Sequence, residues 1–134
     1  MKSVLRPIAI VFGLLLTSVL LANEVEIVKV ELEPSAHRWT FHVTLLHQDT
    51  GWDHFADGWR IVDAKGNELG YRKLWHPHAE EQPFTRTLAD VLIPEGVTVV
   101  YIEAHDKVHG WAKQKVKVDL KQDKGDRYEI RRKK

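Results

Sequence analysis

Apolar and polar residues alternate along most of the chain, which is the pattern of strands that bury one face. In segment 38–47, four large apolar residues occupy odd positions while polar residues fill most even positions. The same pattern, bounded by turn residues, predicts seven strands, A to G, over 25–32, 38–47, 58–63, 69–75, 85–93, 97–104 and 115–120. No segment shows a convincing helical period. We therefore predict an all-β protein with a seven-stranded antiparallel immunoglobulin-like (fibronectin III-like) sandwich.

The connections between these strands differ in length and composition. If neighbouring strands run antiparallel, successive connections alternate between the two ends of the sandwich. The long B–C, D–E and F–G loops then share one end, while short turns containing Gly or Pro lie at the other. These loops are predicted over 48–57, 76–83 and 106–110. Because they carry histidines and tryptophans, this end is the predicted binding end.

The first 22 residues have the features of a secretory signal peptide. Lys2 and Arg6 precede an apolar stretch over 8–21, and Ala22 is a small residue suited to cleavage. That stretch is shorter than the roughly 20 residues of a membrane span, which favours a cleaved signal over a retained anchor. We predict a signal peptide over 1–22, a sandwich domain over 23–120 and a basic, flexible tail over 121–134. The protein would be periplasmic, with no stable membrane span after cleavage.

Composition limits the chemistry that the chain can perform. There is no cysteine, which excludes disulfides, thiolate metal sites and lipid attachment through a cysteine thiol, and Met1 is the only methionine. Histidine, carboxylate and backbone oxygen ligands remain, a set that suits Zn(II), Cu(II), Ni(II) or Fe(II). Residues 23–120 contain 11 Lys and Arg against 16 Asp and Glu. This acidic balance argues against nucleic-acid binding.

Six of the eight histidines lie in or beside the three long loops. They are His47, His54, His76, His78, His105 and His109. Imidazole is the commonest metal ligand in proteins, so these six are the candidate ligands of a copper or zinc ion. The most specific motif is His76-Pro77-His78, because a His-x-His pair in extended backbone directs both rings to one side.

Each of these motifs also has a structural interpretation. His47 shares the inward face of strand B and could be a hydrogen-bonded core residue. Asp49 could cap the backbone of its own loop, and Asp106 and Gly110 could serve hairpin geometry alone. Asp57 could instead hold the tautomer of a ligating imidazole. The tryptophans at this end could cap the core or stack on a ligand.

Several strings after the predicted signal are distinctive. They are Asp49-Thr50-Gly51-Trp52-Asp53-His54 with Ala56-Asp57, Leu69-Gly70 with Arg72, His76-Pro77-His78 with Glu81-Gln82-Pro83-Phe84-Thr85-Arg86, and Ala104-His105-Asp106 with His109-Gly110. They resemble an uncharacterised family of small exported bacterial proteins, over most of the chain. The resemblance implies no activity, so the functional prediction rests on the residues.

The residues favour a periplasmic metal-binding protein that serves metal storage, delivery or tolerance. The alternative is a metal-free interaction module whose aromatic loop end binds a partner protein, a peptide or a glycan. An enzyme with an open metal position is less favoured, since no nucleophile arrangement or phosphate-binding glycine loop is present in the sequence.

Overall fold

The computed structural model describes residues 24–133, so the predicted signal peptide lies outside the described residues. This part of the chain forms nine strands and contains no helix. The strands are β1 Glu26–Ser35, β2 Arg38–Leu46, β3 Ala56–Asp63, β4 Glu68–Lys73, β5 Phe84–Leu92, β6 Val99–Asp106, β7 Gly110–Asp119, β8 Lys124–Gly125 and β9 Tyr128–Ile130. Within these residues, no helix is long and apolar enough to cross a membrane.

The strands form two sheets that pack face to face. One sheet has the order β5-β2-β1-β9-β8 and the other has the order β4-β3-β6-β7. Neighbouring strands are antiparallel except for β1 and β9, which run parallel. The predicted all-β, immunoglobulin-like sandwich is confirmed, and strands A to G correspond to β1–β7.

The apolar side chains of the alternating strands fill the space between the two sheets. Phe41 of β2, Trp59 of β3 and Ile102 of β6 are fully buried there. Full burial of one such large apolar side chain stabilises the fold by about 1.5–3 kcal/mol. In β1 the buried positions change parity between Ile27 and Val30. A β-bulge at this point shifts the register, so that both residues face the core.

The basic segment for which the sequence predicts a flexible tail is instead attached to the sandwich. Tyr128 and Ile130 are buried, and β9 pairs with β1. The Arg131 backbone N–H donates to the carbonyl of Leu32 at 2.8 Å. Two apolar residues that alternate with one glutamate are enough to add a short strand when a neighbouring strand edge is available. The sandwich therefore continues beyond the predicted boundary at residue 120.

Replacing Ile130 with alanine tests this attachment. We expect Ile130→Ala to lower the free energy of unfolding by about 2–4 kcal/mol, because it removes buried methyl groups and leaves a cavity. Urea denaturation of the variant measures this loss. Glu129→Ala, in the same short strand but only partly buried, is the matched control with little expected change. Equal stability of Ile130→Ala and the wild type would restore the prediction of a flexible tail.

Strand pairing brings the three long loops to one end of the sandwich, as the sequence predicts. Leu45 near the end of β2 pairs with Phe84 at the start of β5. Ala56 at the start of β3 pairs with Asp106 at the end of β6. The loops over 47–55, 74–83 and 107–109 therefore emerge side by side.

Candidate metal centre

Three side chains at the loop end form a group that could hold a metal ion. His47 and His54 lie in the loop between β2 and β3, and Asp106 is the last residue of β6. One potential ligand atom from each lies within 4.8 Å of the other two. His54 Nε2 and Asp106 Oδ1 are 3.3 Å apart. Metal–ligand bonds to these groups are about 2.0–2.2 Å, which places the ligand atoms of a tetrahedral site about 3.4 Å apart. The His54–Asp106 distance already matches this value, and the widest separation in the group would close by about 1 Å on binding.

His54 and His78 are the histidines, among the described residues, with buried ring nitrogens that make no hydrogen bond, and of these only His54 belongs to the group of three. Its Nε2 atom is buried and has no hydrogen-bond partner in the structure. The imidazole lies between two others, with ring centroids 4.8 Å from His47 and 5.1 Å from His109. A buried polar atom left without a partner costs about 1–3 kcal/mol and calls for a physical explanation. Coordination to a metal ion would satisfy this nitrogen.

His47 is held by the carboxylate of Asp49. His47 Nδ1 and Asp49 Oδ1 are 2.5 Å apart, and both side chains are fully buried. This contact fixes the orientation of the ring. A carboxylate behind a metal-binding histidine is a common arrangement, and it raises the basicity of the imidazole.

Asp49 also ties the neighbouring loops together. Its Oδ1 accepts a hydrogen bond from the backbone N–H of Ala56 at 3.0 Å. Its Oδ2 accepts one from the backbone N–H of His78 at 2.7 Å. Asp49 therefore positions His47, the start of β3 and the loop over 74–83 together. Its role goes beyond capping the backbone of its own loop, which was the structural alternative.

Asp106 is oriented by the turn that follows it. Its Oδ1 accepts backbone hydrogen bonds from Val108 at 2.9 Å and His109 at 2.7 Å. Gly110 closes the turn at φ +76°, a conformation that favours glycine. Burial raises the pKa of Asp106, but the backbone N–H groups of His109 and Val108 outweigh it and bring the pKa below its ordinary value. The carboxylate is therefore ionised at neutral pH, as a metal ligand must be.

His109 lies behind Asp106 rather than in the group of three. Its Nδ1 is 3.1 Å from Oδ1 and 3.2 Å from Oδ2 of that carboxylate. The imidazole can donate one hydrogen bond there, which helps to hold the carboxylate in place.

His76 and His78, the most specific motif of the sequence, lie outside the group of three. Their rings are 4.5 Å apart, and His78 stacks on Phe84 at 4.1 Å. Burial, together with the charges of Arg86 and His76, lowers the pKa of His78. His76 is exposed and contacts the carbonyl of Pro77. His78 is thus packed in an environment that favours its neutral form, while His76 is exposed.

His105 faces away from the core. It alternates with Asp106 along β6, so its ring lies on the outer surface of the four-stranded sheet. There its Nδ1 is 2.5 Å from Asp57 Oδ1, and the ring packs against Trp111 at 4.9 Å. Asp57 thus holds the imidazole of His105. His105 is outside the group of three, so Asp57 does not support one of its ligands.

The tryptophans of the loop end divide into two kinds. Trp59 is part of the core, and Trp111 packs under the guanidinium of Arg60 at 3.8 Å. Trp52 and Trp75 remain 65% and 68% exposed. The interpretation that tryptophans cap the core therefore does not describe these two.

Parts of the chain are similar to known proteins. No protein-family model matches the chain. A protein of Halomicrobium mukohataei named "putative lipoprotein" is 40% identical over 104 residues, which is 77% of this chain and 51% of that protein. The chain thus spans about half the length of this curated relative. A superoxide reductase (1Fe-SOR) from Giardia intestinalis aligns with 71% of this chain and 99% of its own, at 20% identity and a TM-score of 0.43. Neither similarity assigns a role to any residue.

Proposed function

We propose that this protein binds one divalent transition-metal ion through His47, His54 and Asp106. The observation that carries the proposal is the buried, unpartnered Nε2 of His54, which lies 3.3 Å from an Asp106 oxygen. Two imidazoles and one carboxylate form a ligand set that Zn(II) takes in enzymes. Cu(II), Ni(II) and Fe(II) also accept such nitrogen and oxygen ligands, and of these ions zinc or copper is the one that we propose.

The contacts behind two of the three ligands, His47 and Asp106, support this proposal. Asp49 holds His47, while two backbone N–H groups and His109 hold Asp106. Such supporting contacts are typical of metal sites, where they fix the ligands in a binding orientation before the ion arrives.

The cellular role that fits this site is storage, delivery or tolerance of the metal outside the cytoplasm. Support for export comes from the predicted signal sequence and from the relative named as a putative lipoprotein. Only export is carried over from that relative, because the 134 residues of this chain contain no cysteine that could bear a lipid. The periplasm is the proposed compartment.

Elemental analysis of untagged protein purified from the cell envelope tests the proposal. We expect about one equivalent of zinc or copper in the wild type and a much smaller amount in a variant that combines His54→Ala with Asp106→Asn. Absence of any bound transition metal from wild-type protein, even after incubation with each ion, would contradict the proposal.

A second candidate function is an interaction surface on the same loop end. Trp52 and Trp75 are large and exposed, and Lys73 lies over the Trp75 ring at 4.5 Å. Tryptophans are enriched in protein recognition sites, so a periplasmic partner protein is the proposed occupant of this surface.

Substitution of both exposed tryptophans tests that surface. We expect Trp52→Ala with Trp75→Ala to abolish capture of an envelope partner while metal content and the unfolding free energy stay close to those of the wild type. Cross-linking in intact cells, followed by affinity purification, measures the capture. A variant with both tryptophans changed that captures the same partner would contradict this second function.

A further inference from the structure

The group of three residues is open to solvent on one side only. The side chains of His47 and Asp106 are 1% and 0% exposed, while those of His54 and His109 are 21% and 31% exposed. The candidate centre is thus closed towards the core of the sandwich and reaches solvent where His54 and His109 lie. The exposed part of this region is therefore the outer edge of the His54 and His109 rings, while the Nε2 atom of His54 itself is buried.

The three proposed ligands, His47, His54 and Asp106, are fewer than the four protein ligands of a structural zinc site. Structural zinc sites use four protein ligands, whereas sites with three protein ligands keep a position for water or substrate. Among the neighbouring groups, Asp49 is already engaged by His47, Ala56 and His78. His109 is the adjacent side chain through which a fourth protein ligand could arise, and its Nδ1 faces Asp106.

We propose that the bound metal keeps an open coordination position on the side of His54 and His109, and that this position takes a small inorganic anion or water. This inference rests on the proposed function, since it requires the ion to be held by His47, His54 and Asp106. It distinguishes a centre that can take an external ligand from a closed centre, in which protein side chains would fill every position.

Cobalt(II) is a suitable probe because its visible absorption reports the coordination of the ion, and azide is a small anion that binds open positions. We expect the Co(II)-loaded wild type to show a visible band that changes saturably as sodium azide is added, with one azide per cobalt. The variant His109→Ala loses a contact to Asp106 and should bind Co(II) more weakly. Once loaded with Co(II), it should still show the azide response, because the proposed open position is not filled by that ring.

Three other results would overturn the inference. A Co(II) band that does not change at high millimolar azide would show a centre without an open position. An azide response that appears only in His109→Ala would show that His109 fills the position in the wild type. Absence of any protein-bound Co(II) band would instead remove the proposed function itself, and this inference with it. His76→Ala is the matched control and should behave as the wild type throughout.

Discussion

Replacing His54 with alanine is expected to weaken Zn(II) binding by about 100-fold or more. Changes to residues that only support a metal ligand already cost about 10–100-fold in affinity, and His54→Ala removes a ligand itself. The ring is partly exposed and its Nε2 has no hydrogen-bond partner, so the fold should lose little stability. Calorimetric titration with Zn(II) measures the affinity, and urea denaturation of the metal-free protein measures the stability.

The matched control for this experiment is His76→Ala. His76 lies at the same end of the sandwich, is exposed, and makes a hydrogen bond only to the neighbouring carbonyl of Pro77 among the contacts described. We expect this variant to bind Zn(II) as the wild type does. A large loss in His76→Ala together with unchanged binding in His54→Ala would place the site on the His76-Pro77-His78 motif instead.

Replacing Asp49 with alanine is expected to lower the unfolding free energy by about 3–5 kcal/mol. The substitution removes the acceptor for three donors, which are His47 Nδ1 and the backbone N–H groups of Ala56 and His78. Each buried donor left without a partner costs about 1–3 kcal/mol, although entering water recovers a part of that cost. Since small domains are stable by only about 5–15 kcal/mol, this variant should be close to unfolding.

Asp53→Ala is the matched control for Asp49→Ala. Asp53 lies in the same loop but is exposed, and we expect its loss to change the unfolding free energy by less than about 0.5 kcal/mol. Asp49→Asn should lie between the two, because the amide oxygen can still accept hydrogen bonds. Equal urea midpoints for Asp49→Ala and the wild type would contradict the role of Asp49 in joining the loops.

Most of the fold could be predicted from the sequence because the sandwich buries one face of each long strand. Period-two alternation and Gly or Pro turns therefore locate β1–β7 within a few residues. The same parity correctly predicts that His47 points inward. The short strand β9 escaped prediction because three residues, Tyr128–Ile130, give too little alternation within a strongly charged segment.

The candidate site could be predicted only in part. His47 and His54 were expected among the candidate ligands, whereas Asp106 was not among them and was considered only for a structural role in the hairpin. A usable signal existed, since Asp106 continues the inward face of Ile102 and Ala104 and is therefore a buried carboxylate. The contact between Asp49 and His78 joins positions 29 residues apart, and no local pattern reveals such a pair. His105 was predicted as a candidate ligand because it lies beside the F–G loop at the loop end. Its position in the alternation of β6, however, places its ring on the outer face of the sheet.

Calorimetric titration of metal-free wild-type protein with Zn(II), and separately with Cu(II), tests the central claim most directly. We expect one equivalent of at least one of these ions to bind with a dissociation constant below about 1 µM, corresponding to a free energy of about −8 kcal/mol. Binding of neither ion below about 1 mM would contradict a metal centre formed by His47, His54 and Asp106, and those side chains would then serve the structure of the loop end alone.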